Sequence, residues 1–344
     1  MLTAGRPATL HSLQHLRALA ALAVVLFHAL QWEDGGFEVG RAGVDVFFVI
    51  SGVIMWRVTA GRRVAPADFL WRRASRVVPG YWLATLAVAA AAVAWRGFLP
   101  EVSPEPRHLV LSLAFIPHLD PYGRPFPTLP PGWTLDYEAV FYLLFAACLL
   151  VPERDRLAAI AGALALLAAA GFLFASRYFL GANPMVLEFA AGVWLSRRLE
   201  TGRLPSAAWG VGLVCLALAA FAGVEASGAF TELWRPLLWG VPATALVAGA
   251  LSVEAGGAFP ALPLATRLGD ASYAIYLWHL PATAVLAHAL GYANPWLFLP
   301  GALAVSTVAG LAAWRWLERP MTAAIRRAVA EFRRSGPADQ GRQG

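Results

Sequence analysis

The sequence predicts an all-α fold: a polytopic integral membrane bundle of about ten transmembrane helices with both termini cytoplasmic. Three observations lead there. Hydrophobic residues make up 59% of the 344, and charged residues only 14%, where a soluble chain carries roughly a quarter charged residues. The apolar residues come in runs of about 18 or more, the length that crosses a bilayer. The basic residues, all arginine, are divided unevenly between alternate connections, as the positive-inside rule requires.

The apolar runs place spans at 12–32, 43–60, 78–95, 133–151, 157–176, 184–199, 206–225, 236–254, 270–290 and 296–314. The first run lacks a small-residue cleavage site and reads as a retained helix closed by the interfacial Trp32. The run at 109–117 is too short to cross and reads as re-entrant or interfacial. The proline-rich stretch PHLDPYGRPFPTLPPGW that follows it reads as an ordered external loop. With the N-terminus inside, the outer face keeps Arg41, Arg96, Arg107, Arg124, Arg177 and Arg235, leaving 21 of the 27 arginines cytoplasmic. Residues 1–320 form the transmembrane unit. Residues 321–344 form a basic cytoplasmic tail, a surface helix followed by disorder.

Composition also excludes function classes. The net charge of +6 needs no nucleic-acid partner, because basic loops are how a membrane protein is oriented. Cys148 and Cys215 lie inside apolar runs without metal spacing, so neither a disulfide nor a zinc role is expected. There is no internal repeat of the kind that marks many transporters.

Ionisable groups inside apolar spans are costly and point to function. The stretch RALAALAVVLFH places Arg17 and His28 at the two ends of one apolar helix. Eleven residues are close to three turns, so the two side chains share one face, offset by ~20° and ~16 Å apart along the axis. Snorkelling and packing would be the alternative for this pair. Asp45, in GVDVFFVISG, falls near the depth of His28. It is placed to accept the imidazole N–H, or to satisfy free donors at a helix N-terminus. Ser51 and Gly52 read as a close-packing step. Arg72, Arg73 and Arg76 cluster in a cytoplasmic loop before the third span. They suit phosphate oxygens, or orientation alone.

Glu138 lies about a turn and a half into its span, with His28 or an arginine as partner, and Asp136 lies nearer the surface. Glu188 has a similar outer depth. Tyr276 and His279 lie near mid-membrane, three residues apart, and either line a cavity or satisfy each other. Glu318 and Arg319 read as interface anchors.

Five segments in order, Arg17–His28, GVDVFFVISG, RRASRVVPGYW with Arg73 and Arg76, GWTLDYE and SYAIYLWH, resemble the acyltransferase-3 family of bacterial integral-membrane O-acyltransferases over nearly the whole chain. The resemblance is to the form without an extracytoplasmic hydrolase-like domain. It implies transfer of an acyl group, acetyl in the simplest case, from cytoplasmic acyl-CoA to a hydroxyl, commonly on a carbohydrate such as a cell-surface or exported glycan. It implies a multi-pass protein of the bacterial inner membrane. Arg17 and His28 match the family's essential pair, and Arg73 and Arg76 its cytoplasmic pair.

The expected layout follows. Arg17, Arg73 and Arg76 bind the acyl-CoA phosphates. His28 acts as general base or transient acyl carrier, with Glu138 or Asp45 orienting it. Tyr276, His279 and Glu188 line the cavity, Tyr276 and His279 being candidates for the oxyanion donor. Acyl-CoA is a co-substrate, no bound cofactor is expected, and no metal is needed because the thioester is already activated. The competing readings are an acyltransferase acting on a small secondary metabolite and a proton-coupled exporter.

Overall fold

The computed structural model describes residues 9–31, 36–95, 97–174, 184–291 and 294–335. Arg6, Trp32, Arg96, Arg177, Arg342 and the tail beyond Ser335 lie outside the described residues, as do the side chains of Arg333 and Arg334. Among the described residues the regular structure is helical, with no strand. In chain order the helices are α1 (His11–Gln31), α2 (Ala42–Thr59), α3 (Pro66–Ala94), α4 (Pro106–Leu113), α5 (Trp133–Cys148), α6 (Glu153–Phe174), α7 (Leu187–Glu200), α8 (Ala207–Ser227), α9 (Val241–Ala255), α10 (Pro263–Leu290), α11 (Pro295–Ala313) and α12 (Arg319–Ser335).

The local chemistry explains the boundaries. Proline opens α3, α4, α10 and α11, where its missing N–H has no helical partner to lose. The Asn294 side chain accepts from the Trp296 N–H and caps α11. Gly228 ends α8 with a φ of 61°, which only glycine adopts without penalty. The turn Trp314–Glu318 that joins α11 to α12 is π-helical.

Among the described residues, six helical segments are long and apolar enough to cross a membrane: those at 11–31, 38–59, 66–94, 207–227, 236–255 and 296–329. Among the other expected crossings, α6 has 22 residues and no charged side chain after Arg156, α10 has 28 residues with charged groups in its first turns and two histidines further along, and α5 and α7 are short. α5 and α7 have 16 and 14 residues, less than the roughly 20 that a ~30 Å hydrocarbon core requires. The outward faces carry large apolar side chains, among them Trp209, Leu216, Leu166 and Val308. That pattern suits lipid as the surrounding solvent and is foreign to a soluble monomer.

One expectation is corrected. The arginine cluster is not a loop: α3 begins at Pro66 and runs without a break through Arg72, Arg73, Arg76 and the internal Pro79. Arginine is a good helix former, so the helix continues past the apolar segment that a bilayer-based reading sees. Helical spacing then turns Arg73 and Arg76 to one side.

α1 lies at the centre. It packs antiparallel to α2, with Leu13 and Leu16 against Ile50 and Val53. It runs parallel to α10: Gln14 donates to Asp270 near their first turns (3.0 Å), and Ala21 and Val25 pack against Ala271 and Ile275 further along. Glycines permit the closest crossings. A methyl group added at Gly269 would overlap the Gln14 carbonyl, and one at Gly43 the Ala20 carbonyl. At the seam of α2 and α7, Gly52 and Gly192 face each other's helix backbone in the same way.

This seam yields a prediction. Gly192→Ala forces a methyl into the Val49 carbonyl, whereas Gly162 on α6 has open space at the equivalent position. Overpacking should cost about 1–3 kcal/mol. Thermal unfolding in detergent should therefore show a lower Tm for Gly192→Ala and none for Gly162→Ala. Equal Tm values would mean the two helices do not need this approach.

Candidate active site

Two cavities run through the bundle and meet at Val44 and Tyr276, which line both. The first, about 360 Å³, is walled by Arg17 of α1, Arg73 and Arg76 of α3, Glu138 and Tyr142 of α5, and Ser51 of α2. The second, about 580 Å³, holds His28 among Phe27, Trp133, Phe126, Glu38, Arg41 and Arg124. Arg17 and His28 thus open into different cavities at opposite ends of one helix face, as their spacing requires.

His28 has a defined tautomer. Its Nδ1 lies 2.9 Å from the Val24 carbonyl, which can only accept, so Nδ1 carries the proton. The same Nδ1 is 3.2 Å from His279 Nε2. His279 in turn has its Nδ1 2.7 Å from the Tyr276 carbonyl, so its proton sits there and its Nε2 offers a lone pair to His28. The result is a directed chain: His28 Nδ1–H is shared between Val24 and His279, and His28 Nε2 is left with a free lone pair at the cavity.

The carboxylates expected to serve His28 are elsewhere. Asp45 is fully buried and grips Arg235, with Nη2 at 2.9 Å and Nε at 3.1 Å. A buried carboxylate takes the nearest rigid bidentate cation, and Arg235 supplies it. Glu138 sits in the arginine cavity, accepting from Ser51 Oγ at 2.9 Å and from the Tyr142 hydroxyl. It interacts electrostatically with Arg17 and Arg73. Ser51 therefore holds a polar partner, while Gly52 makes the close-packing step.

Three further expectations change. Glu188 lines neither cavity; it is buried against Asp45 and Arg235. His279 stands behind His28 instead of lining the cavity, because its ring is fixed at Tyr276 O and His28. Tyr276 does line both cavities, but its hydroxyl donates to the Pro131 carbonyl and lies 3.0 Å from Thr134 Oγ1. Neither Tyr276 nor His279 keeps a free proton for an oxyanion, and the two side chains do not satisfy each other.

The first cavity is unbalanced in charge. Arg17 has one contact, Gln14 Oε1 at 3.5 Å. Arg73 Nε is buried with no partner. Neither these two nor Arg76 belongs to an ion pair among the described residues. Three cations around a cleft with one carboxylate have the charge and donor geometry that suit an anion.

The family described as Acyltransferase domain matches residues 10–315. That range covers most of the chain and includes both cavities. The chain belongs to the acyltransferase-3 family. It is an acyltransferase and a multi-pass membrane protein. It is 39% identical over 305 residues to the exopolysaccharide production protein ExoZ of Rhizobium meliloti (strain 1021), a match covering 86% of this chain and 94% of that one. It is 31% identical over 157 residues to the peptidoglycan O-acetyltransferase OatA of Listeria monocytogenes, covering 41% of this chain and 24% of OatA. No solved structure matches it.

Several residues of this acyltransferase escape a reading by sequence. Arg235 is buried although it precedes a span at the face where arginine is scarce; its rarity there was the only signal. Arg41 lies over the rings of Phe27, Phe230 and Trp239 at 5.7, 5.2 and 5.5 Å and pairs with Glu38 and Glu232. Arg124 pairs with Asp120 at 2.8 Å and reaches Glu101, which orders the proline-rich loop against the His28 cavity. The spacings Glu38–Arg41 and Asp120–Arg124 are local, but Glu232 and Glu101 come from distant segments, and no local pattern marks those two pairings.

Asp45 is thereby assigned to structure. Asp45→Asn removes the bidentate partner of the buried Arg235 guanidinium and leaves it only the longer pair with the half-exposed Glu232 at 3.4 Å, which should cost about 1.5–3 kcal/mol. The variant should unfold at lower temperature, and the paired Asp45→Leu, Arg235→Met variant should recover most of that loss. A normally stable Asp45→Asn protein that has lost acyl transfer would instead make Asp45 part of the chemistry.

Proposed function

We propose that this protein transfers an acyl group, acetyl in the simplest case, from acyl-CoA to a hydroxyl of a carbohydrate acceptor, such as an exported or cell-surface glycan. The observation that carries the reading is a pair of neighbouring cavities that share Val44 and Tyr276 as wall residues, one rich in arginine without ion pairs among the described residues and the other holding a histidine with a free Nε2. Coenzyme A has phosphates at one end and a thioester at the end of a long flexible arm. Docking the phosphates on Arg17, Arg73 and Arg76 directs the arm past Tyr276 toward His28.

His28 Nε2 then takes the proton of the acceptor hydroxyl as its oxygen attacks the thioester carbonyl. The carbon–sulfur bond breaks, and the imidazolium returns the proton to the departing thiolate. Atoms balance as an acyl ester and free coenzyme A, with no metal or redox partner consumed. The lone pair of His279 Nε2 stabilises the imidazolium through Nδ1–H, the place an aspartate holds in the hydrolase triad. A base acting directly is favoured over a transient acyl carrier, because His28 is already oriented by two partners.

The acceptor cavity is suited to a sugar. Phe27, Phe126 and Trp133 offer apolar faces, while Glu38, Glu101, Arg41 and Arg124 offer planar hydrogen-bonding groups. The names of the relatives support this acceptor class. The arginine asymmetry of the sequence supports a cytoplasmic donor side and an outward acceptor side in the bacterial inner membrane. The parallel course of α1 and α10, and the antiparallel course of α2, fit that orientation.

The test is mass spectrometry of surface glycans from a strain lacking the gene, complemented with variants. Wild type should restore ester-linked acyl groups. His28→Ala should not, since losing a general base costs about 10²–10⁴ in rate, yet it should still bind acetyl-CoA. His279→Gln should lower turnover while leaving donor KM near wild type. Exchanging Phe27→His with His28→Phe turns the imidazole ~100° about the helix at constant composition and should also inactivate. Full acylation by that double variant, or glycans unaltered by the deletion, would defeat the reading.

A further inference from the structure

A third cavity, about 580 Å³, opens beside the first and shares Gln14, Arg17, Arg76 and Tyr273 with it. Its other wall is α12. Arg319, Thr322, Ala323 and Arg326 line it, and the spacing of zero, three, four and seven is one helical face. Arg327 stands ~100° away from Arg326 about the axis and does not line the cavity. The π-helical turn at Trp314–Glu318 aims this face, and Arg319 lies 5.0 Å from the Trp314 ring.

The charge of this wall is unmet. Arg17, Arg76, Arg319 and Arg326 belong to no ion pair among the described residues. Two carboxylates are present. Asp270 is engaged by Gln14. Glu318, half-buried and far from the interface anchor expected of it, has an oxygen without a partner and faces Arg76 and Arg17 electrostatically. Arg326 is also within electrostatic reach of Arg73. Five arginines from three helices, α1, α3 and α12, thus line two adjoining cavities that share Gln14, Arg17, Arg76 and Tyr273. One phosphodiester could occupy only part of that lining. A ligand bearing several phosphates spaced along its length could occupy all of it.

We propose that α12 completes the donor site: Arg319 and Arg326 hold phosphate of the nucleotide end of coenzyme A, distal to the groups held by Arg17, Arg73 and Arg76. This rests on the acyl-CoA reading and sharpens it. The site is selective for a free coenzyme A thioester over a thioester on bare pantetheine or on the singly phosphorylated arm of a carrier protein. The helix at 319–335 is then part of the binding machinery and not only a surface tail.

The experiment measures Kd of the full-length protein in lipid nanodiscs for acetyl-CoA, acetyl-dephospho-CoA and acetyl-pantetheine. Wild type should bind acetyl-CoA most tightly. Arg319→Gln with Arg326→Gln should weaken acetyl-CoA by about threefold to thirtyfold, the range for losing two partly exposed charge-assisted contacts. The same variant should leave acetyl-pantetheine unchanged, which also shows that it is folded. Arg327→Gln should match wild type throughout. Equal weakening of all three ligands, or no weakening of acetyl-CoA, overturns the role of α12 while the donor reading stands. Failure of wild type to bind any of the three defeats the donor reading itself. Discs of phosphatidylcholine alone and discs with phosphatidylglycerol separate the two sources of phosphate. A penalty seen only in the anionic discs assigns the arginines to lipid headgroups and overturns the proposal.

Discussion

The seam between α1 and α10 sets the geometry on which the rest of the site depends. At one end Gly269 lets the α10 backbone close on Gln14, and Gln14 bonds Asp270. At the other end His28 meets His279. Between them lie alanine, valine and isoleucine side chains without polar atoms. Because the helices run parallel and close, the register fixed at Gln14 also fixes the histidines. A shift of one residue along this seam would turn His28 away from both its partner and its cavity. The tautomer that frees Nε2 is therefore a product of helix packing, not of a neighbouring carboxylate.

The intramembrane charges separate into two groups by whether they are paired. Asp45 with Arg235, and Arg41 with Glu38 and Glu232, are compensated within the protein. They tie the first turns of α2 to the segment before α9 and leave the histidine cavity without a free strong charge. Arg17, Arg73 and Arg76 are left without ion pairs, with Glu138 alone among them held by Ser51 and Tyr142. Unpaired cations at this depth weigh against the unliganded fold. An anionic ligand would remove that cost, which would couple binding to local order at the arginine end. That asymmetry gives the molecule a direction.

Much of this was legible in the sequence. The spacing of Arg17 and His28 alone predicted one face and two ends, because a helix of known pitch leaves no other choice. The apolar runs locate most helix ends to within a few residues, but α3 begins at Pro66 and α10 at Pro263, well before the apolar stretches at 78 and 270. What the sequence hid was pairing between segments. Asp45 and Glu138 carry the residue type that a histidine base calls for, and nothing local distinguishes them from a true partner. Only the packing shows Arg235 and Tyr142 in the way. His279 was visible as a deep polar group, but its role turns on which ring atom faces α1. The helical course of the arginine cluster was missed because it extends an apolar helix beyond the apolar stretch.

In the proposed reaction one ligand spans the two cavities, with phosphates at the arginines and the acyl carbon at His28. Electron cryomicroscopy of the protein with a non-hydrolysable acetyl-CoA thioether analogue tests it most directly. Density is expected for phosphates against Arg17, Arg73 and Arg76, for an arm passing between Val44 and Tyr276, and for the analogue's carbonyl within reach of His28 Nε2. An analogue seated wholly on the His28 side, or one whose acyl end turns away from Tyr276 into lipid, would contradict it.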